Sequence, residues 1–146
     1  NKSQACTKSW VASFTKDDLK LGIGMSICYD LRFPELYRGY AKQKAQIILV
    51  PSSFASKTGE AHWESLLRAR AIENQCFVAA VNQCGKNLET NVQNYGHSQF
   101  FDPWGTCLAS ATEKPAILTE TLPPERLREV RAQLPALENR KIFFSF

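Results

Sequence analysis

Gly22-Ile23-Gly24-Met25-Ser26-Ile27-Cys28-Tyr29-Asp30-Leu31-Arg32-Phe33-Pro34-Glu35-Leu36 is the stretch that decides the fold of this chain. A mostly apolar, glycine-containing strand ends in a cysteine, and a polar turn and a helix opened by Pro34 follow. One thiol is thereby set at a strand-to-helix elbow, where the next backbone N–H groups have no partner in a sheet. Such a position suits a nucleophile, because a helix N-terminus favours an anion and free N–H groups can hold an oxyanion. The plain alternative is that Cys28 is an inert, buried small hydrophobe.

Working outward, residues 21–28 read as a buried strand and 34–44 as a helix. Residues 46–51, Gln-Ile-Ile-Leu-Val-Pro, read as a second buried strand. This strand–helix–strand succession is a βαβ-like unit with parallel strands. Residues 52–60 read as a polar loop. Residues 61–74 read as the main helix, with Trp63, Leu66, Leu67 and Ala71 on one stripe and a Glu64–Arg68 pair at i,i+4. A third buried strand is expected at 76–81 and a polar surface loop at 85–95. A hairpin is expected from 97–102 and 106–111 about the turn Asp102-Pro103-Trp104-Gly105. A last strand at 116–122 and a helix at 124–134 complete the reading. Residues 1–13 are expected to be irregular, and 135–146 to be a tail. Alternating strands and helices followed by a hairpin make the chain α/β, with helices layered on a sheet.

Composition excludes several classes. The net charge is +4, with Lys and Arg dispersed rather than in a basic block, so no nucleic-acid partner is expected. The apolar runs are strand-sized, so no membrane span is expected. The cysteines Cys6, Cys28, Cys76, Cys84 and Cys107 are odd in number and form no Cys-x-x-Cys. A disulfide framework is therefore not expected, and a reducing, cytoplasmic compartment is favoured. His62 and His97, the only histidines, lie far apart, so no metal site is expected. With no glycine-rich phosphate loop either, no cofactor is expected.

Other candidates lie near the ends of the strands, where ligands of α/β sheets bind. Arg32 suits bidentate recognition of a substrate carboxylate, or equally an ion pair with Asp30 or Glu35. Ser52, Ser53 and Thr58 are loop hydroxyls that either face a ligand or serve turn chemistry. Asn82 and Gln83 either face the same crevice or are structural. His62 and His97 are the imidazoles available to an unrelated Cys–His hydrolase, although no spacing supports that arrangement; Trp63 reads as core.

Ile27-Cys28-Tyr29-Asp30-Leu31-Arg32-Phe33-Pro34-Glu35-Leu36 resembles the nucleophile segment of the nitrilase superfamily of carbon–nitrogen hydrolases. The resemblance continues through Val50-Pro51-Ser52-Ser53-Phe54, Thr58-Gly59-Glu60-Ala61-His62-Trp63-Glu64 and Arg68-Ala69-Arg70-Ala71-Ile72-Glu73-Asn74. It extends to Tyr95-Gly96-His97-Ser98 and Asp102-Pro103-Trp104-Gly105, covering residues 14 to about 141 in order. Ala61-His62-Trp63-Glu64, Asn82-Gln83-Cys84-Gly85 and Val130-Arg131-Ala132-Gln133-Leu134-Pro135 are most similar to the Nit-type amidases that act on deaminated glutathione, with ω-amidases the alternative.

The resemblance implies the C-terminal part of a four-layer α-β-β-α sandwich, with 1–146 a partial domain whose N-terminal half is absent. It implies a Glu-Lys-Cys triad that cleaves a small carboxylate-bearing amide through a cysteine thioester with release of ammonia. Carried over, the nucleophile is Cys28, the oxyanion donor is the Tyr29 N–H, and the substrate contacts are Arg32 and Thr58. A homodimer through the helices at 34–44 and 61–74 is implied as well. The triad's glutamate and lysine precede the cysteine in the family, yet the first glutamate here is Glu35, and Lys2, Lys8, Lys16 and Lys20 lie in other contexts. The chain alone is therefore expected to be inactive, the active form being the parent protein. The competing expectation is a catalytically incomplete remnant or interaction module.

Overall fold

The computed structural model describes residues 11–16 and 19–141. A six-stranded sheet runs in the order β1 (Val11–Lys16), β2 (Leu19–Met25), β3 (Ile47–Ser52), β4 (Phe77–Asn82), β7 (Gln99–Phe101) and β8 (Cys107–Ser110). The three central strands β2, β3 and β4 are parallel, and β1, β7 and β8 run antiparallel to their neighbours. A separate hairpin is formed by β5 (Cys84–Lys86) and β6 (Gln93–Tyr95). The helices are α1 (Pro34–Lys42), α2 (Ser56–Asn74) and α3 (Pro124–Gln133). The α/β expectation holds, and the parallel centre puts the C-terminal ends of β2, β3 and β4 on one edge.

Strand alternation separates two faces. Ile48, Val50, Val78, Ala80 and Phe101 join Trp63, Leu67 and Ala71 of α2 and Tyr37 and Tyr40 of α1 in one core. Gly24 belongs to this side because a Cβ there would stand 2.8 Å from the Tyr40 ring. On the other side Met25, Leu49, Ala79 and Phe100 stand in one row across four strands. Met25 and Val81 are 56% and 65% exposed, so α1 and α2 cover only the first face. α3 is tied elsewhere. Arg131 donates to the carbonyls of Gln75 and Ala45, and Arg126 donates to the buried Asp102 carboxylate. Asp102 also accepts the N–H groups of Trp104 and Thr106, closing the expected turn.

Several sequence expectations need correction. Residues 11–13 are not irregular but open β1, whose backbone completes its hydrogen bonds on β2; residues 1–10 and 142–146 lie outside the described residues. Residues 116–122 form no strand; Ile117 is 95% exposed and no ladder engages that segment. The polar stretch 85–95 lies within the β5–β6 hairpin, which clamps the loop after β3. Ser53 Oγ donates to Asn94, and the Tyr95 N–H donates to the Phe54 carbonyl. The main helix starts at Ser56, so Thr58, Gly59 and Glu60 are helical rather than loop. Gly59 is needed there for close approach, since a Cβ at that position would stand 2.4 Å from the Tyr95 ring.

Candidate active site

β2 ends at Met25, and Cys28–Arg32 form a single 3-10 turn before α1. Cys28 itself has φ of +48°, the left-handed region, which costs a non-glycine residue about 1–2 kcal/mol. The surroundings force that geometry. The Ser26 N–H donates to the Leu49 carbonyl, and the Ser26 hydroxyl is 2.6 Å from the Tyr37 hydroxyl. Burial raises the Tyr37 pKa, keeping that phenol protonated. The Tyr40 hydroxyl donates to the Met25 carbonyl. Asp30 closes the turn twice, its N–H donating to the Ile27 carbonyl and its carboxylate accepting the Ile27 N–H at 2.9 Å.

The far side of the turn is gripped by Arg70. Its Nε and Nη2 donate to the Leu31 carbonyl at 3.1 and 2.7 Å, and Nη1 donates to Glu73 at 3.0 Å. Its guanidinium also lies over the Tyr37 ring. Arg70 is buried, and sequence reading missed its part because an arginine on a helix reads as solvated. The signal was present: Trp63, Leu67, Arg70, Ala71 and Asn74 fall on one buried stripe of α2.

In this turn the first i→i−3 bond is made by Asp30 N–H, so the Tyr29 N–H precedes the ladder. That leaves a backbone N–H immediately after Cys28 outside the turn's own ladder. The Tyr29 side chain itself is exposed and tilts onto Phe33.

Arg32 is paired with neither Asp30 nor Glu35 among the described residues. Its Nη1 is 3.3 Å from His62 Nδ1, and its guanidinium lies 5.4 Å from the Tyr29 ring centre and 5.2 Å from that of Phe54. Thr58 lies in the first turn of α2, where its hydroxyl donates to the Ala55 carbonyl at 3.2 Å. Four residues before His62, it shares that helix face.

The remaining candidates resolve into supports. Asn82 is buried, donating to the Gly96 carbonyl at 2.7 Å and accepting the Phe54 N–H at 2.8 Å. The Gln83 N–H donates to the Ser52 carbonyl, and the Ser52 hydroxyl turns back to the Val50 carbonyl. Trp63 is core, with its indole N–H donating to the His97 carbonyl at 2.7 Å. His97 stacks on Tyr95, with Nδ1 at 2.7 Å from the Tyr95 carbonyl. Neither imidazole hydrogen-bonds the Cys28 thiol among the described residues, and the geometry gives no support to a Cys–His pair.

Among the described residues the cysteines 28, 76, 84 and 107 are free. Cys76 is fully enclosed, and burial pushes its thiol up to about 12. Cys107 is raised too, mainly by burial. No group of three or more histidine, cysteine or acidic side chains there is placed to hold a metal ion. No helix there is long and apolar enough to cross a membrane.

The carbon–nitrogen hydrolase family model matches residues 8–132. A deaminated glutathione amidase from Synechocystis sp. is 48% identical over 118 residues, which are 81% of this chain and 43% of that protein. This chain therefore spans less than half the length of that curated relative. The crystal structure of Saccharomyces cerevisiae Nit3, a member of branch 10 of the nitrilase superfamily, superimposes with a TM-score of 0.78 at 35% identity. That match covers 90% of this chain and 47% of Nit3. A mutant amidase from Nesterenkonia sp. AN1, carrying the acetamide moiety of fluoroacetamide covalently on its active-site cysteine, matches with a TM-score of 0.74 at 28% identity, over 92% of this chain and 45% of that one.

Proposed function

Because the chain belongs to the carbon–nitrogen hydrolase family, we propose that the protein carrying it is an amidase acting on a small carboxylate-bearing amide, deaminated glutathione being the leading substrate. The observation that carries this reading is Cys28 held at a left-handed elbow beside the N–H of Tyr29. In the proposed reaction the Cys28 sulfur attacks the amide carbonyl, and a C–S bond forms. The Tyr29 N–H donates to the oxygen as it gains charge. The tetrahedral intermediate collapses, the C–N bond breaks, and the nitrogen leaves as ammonia after taking up a proton. Water then cleaves the thioester, giving a carboxylate and restoring the thiol. Arg32 and Thr58 are proposed to hold the substrate's own carboxylate.

A glutamate base and an oxyanion lysine complete this chemistry in the reading above. No glutamate precedes Glu35 in residues 1–146, so the chain by itself is proposed to be inactive. The apolar row Met25, Leu49, Ala79 and Phe100 supports a sandwich in the whole protein, since it is the face on which a second sheet would lie. Assaying the whole protein with a short ω-amide and its carboxylate-free analogue tests the reading. Ammonia release is expected from the first at a kcat/KM at least about 10-fold above the second, the scale of one lost charged contact. Equal turnover of both would remove the carboxylate assignment, and no turnover of either would remove the amidase. The alternative amidase reading is ω-amidase-like activity on the same class of amide.

Homodimerisation through α1 and α2 and a cytoplasmic location are further parts of the proposal. The support for dimerisation is that both helices form the outer layer over the sheet, where Ile72 of α2 is 46% exposed. Sedimentation of the whole protein is expected to give twice the monomer mass; a monomer at micromolar concentration would contradict it.

A further inference from the structure

We propose that His62 is the positioning residue that holds Arg32, four residues after Cys28 in the same turn, as a carboxylate fork, an inference that rests on the amidase reading above. An arginine has donors only, so in the 3.3 Å contact Arg32 Nη1 donates and His62 Nδ1 accepts. The rings of Tyr29 and Phe54 lie against the same guanidinium, at 5.4 and 5.2 Å. Two aromatic contacts and one in-plane acceptor orient a side chain that otherwise carries about 2 kcal/mol of rotamer entropy.

The acidic neighbours leave the fork open. The Asp30 carboxylate is occupied by the Ile27 N–H, and no carboxylate pairs with Arg32 among the described residues. With Nη1 directed at His62, Nη2 and Nε remain for a planar, two-point contact with a substrate carboxylate. His62 touches no reacting atom in this scheme. It determines where the charge of Arg32 stands relative to the elbow, and so governs selection of acidic over neutral amides.

The test uses the whole protein with His62→Ala and His62→Asn. The Asn side-chain oxygen lies the same number of bonds from Cβ as Nδ1 and can accept the same hydrogen bond. For a carboxylate-bearing ω-amide, His62→Ala is expected to raise KM about 10-fold with kcat within about two-fold. The neutral analogue is expected to show no change, and His62→Asn to return KM to within about three-fold of the parent. An unchanged KM, an equal rise for both amides, or a loss of kcat on both would each overturn the proposal. Binding separates its failure from failure of the amidase reading. In a Cys28→Ala background, calorimetry with the dicarboxylate product should show the same 10-fold weakening on His62→Ala and recovery with Asn. Unchanged product affinity would overturn the positioning role even where turnover is absent.

Discussion

Cys28→Ala in the whole protein is expected to abolish ammonia release, by a factor on the order of 10⁶ in kcat, the scale seen when a covalent nucleophile is removed. The substitution keeps the Cβ and therefore the strained left-handed backbone at this position. It leaves untouched Asp30, Ser26, Tyr37 and Arg70, which hold the elbow. Loss of activity should accordingly come without loss of fold, read as unchanged circular dichroism and a thermal midpoint within a few degrees. Cys76 and Cys107 do not substitute for it. Cys76 is sealed in the core with its thiol pushed to about 12, and burial raises Cys107 as well. Ammonia release persisting at the parent rate in Cys28→Ala would remove the nucleophile assignment.

Arg70→Ala is expected to have the largest effect on stability, about 3–5 kcal/mol, because it breaks a buried charged network and leaves partners unpaired. The Leu31 carbonyl would lose both of its guanidinium donors, Glu73 would keep Arg38 as its one ion-pair partner among the described residues, and the Tyr37 ring would lose the cation on its face. Leu31 lies three residues after Cys28 in the same turn, so the damage reaches the elbow. Arg70→Lys retains charge without the planar fork and is expected to recover only part of the stability. Denaturant midpoints at constant m-value check this prediction; a cost under about 0.5 kcal/mol for Arg70→Ala would rule out a structural role for the clamp.

What the sequence made legible follows from physical reach. The elements β2, α1, β3, α2 and β4 each bury a continuous or periodic apolar face, and that patterning is local. The strand β1 was not legible, because Val11–Lys16 is half polar and its pairing is supplied entirely by β2. Residues 116–122 carry strand-like composition, but composition creates no ladder without a neighbouring edge. The start of α2 was misjudged because Gly59 resembles a loop breaker, whereas the ring of Tyr95, 36 residues away, demands it. At the site, Cys28 and Arg32 were visible from residue type and position. Their supports were not: Arg70 to Leu31, Ser26 to Tyr37 and His62 to Arg32 are contacts across 39, 11 and 30 residues. Such contacts exist only once α1 and α2 lie on the sheet.

The most direct measurement is peptide mapping of the whole protein during inactivation by iodoacetamide, a general thiol alkylator. The account predicts that the acetamide mass accumulates on the peptide carrying Cys28, in step with loss of ammonia release, while Cys76 stays unmodified in the folded protein. Activity lost with Cys28 unmodified, or activity retained with Cys28 fully modified, would contradict it.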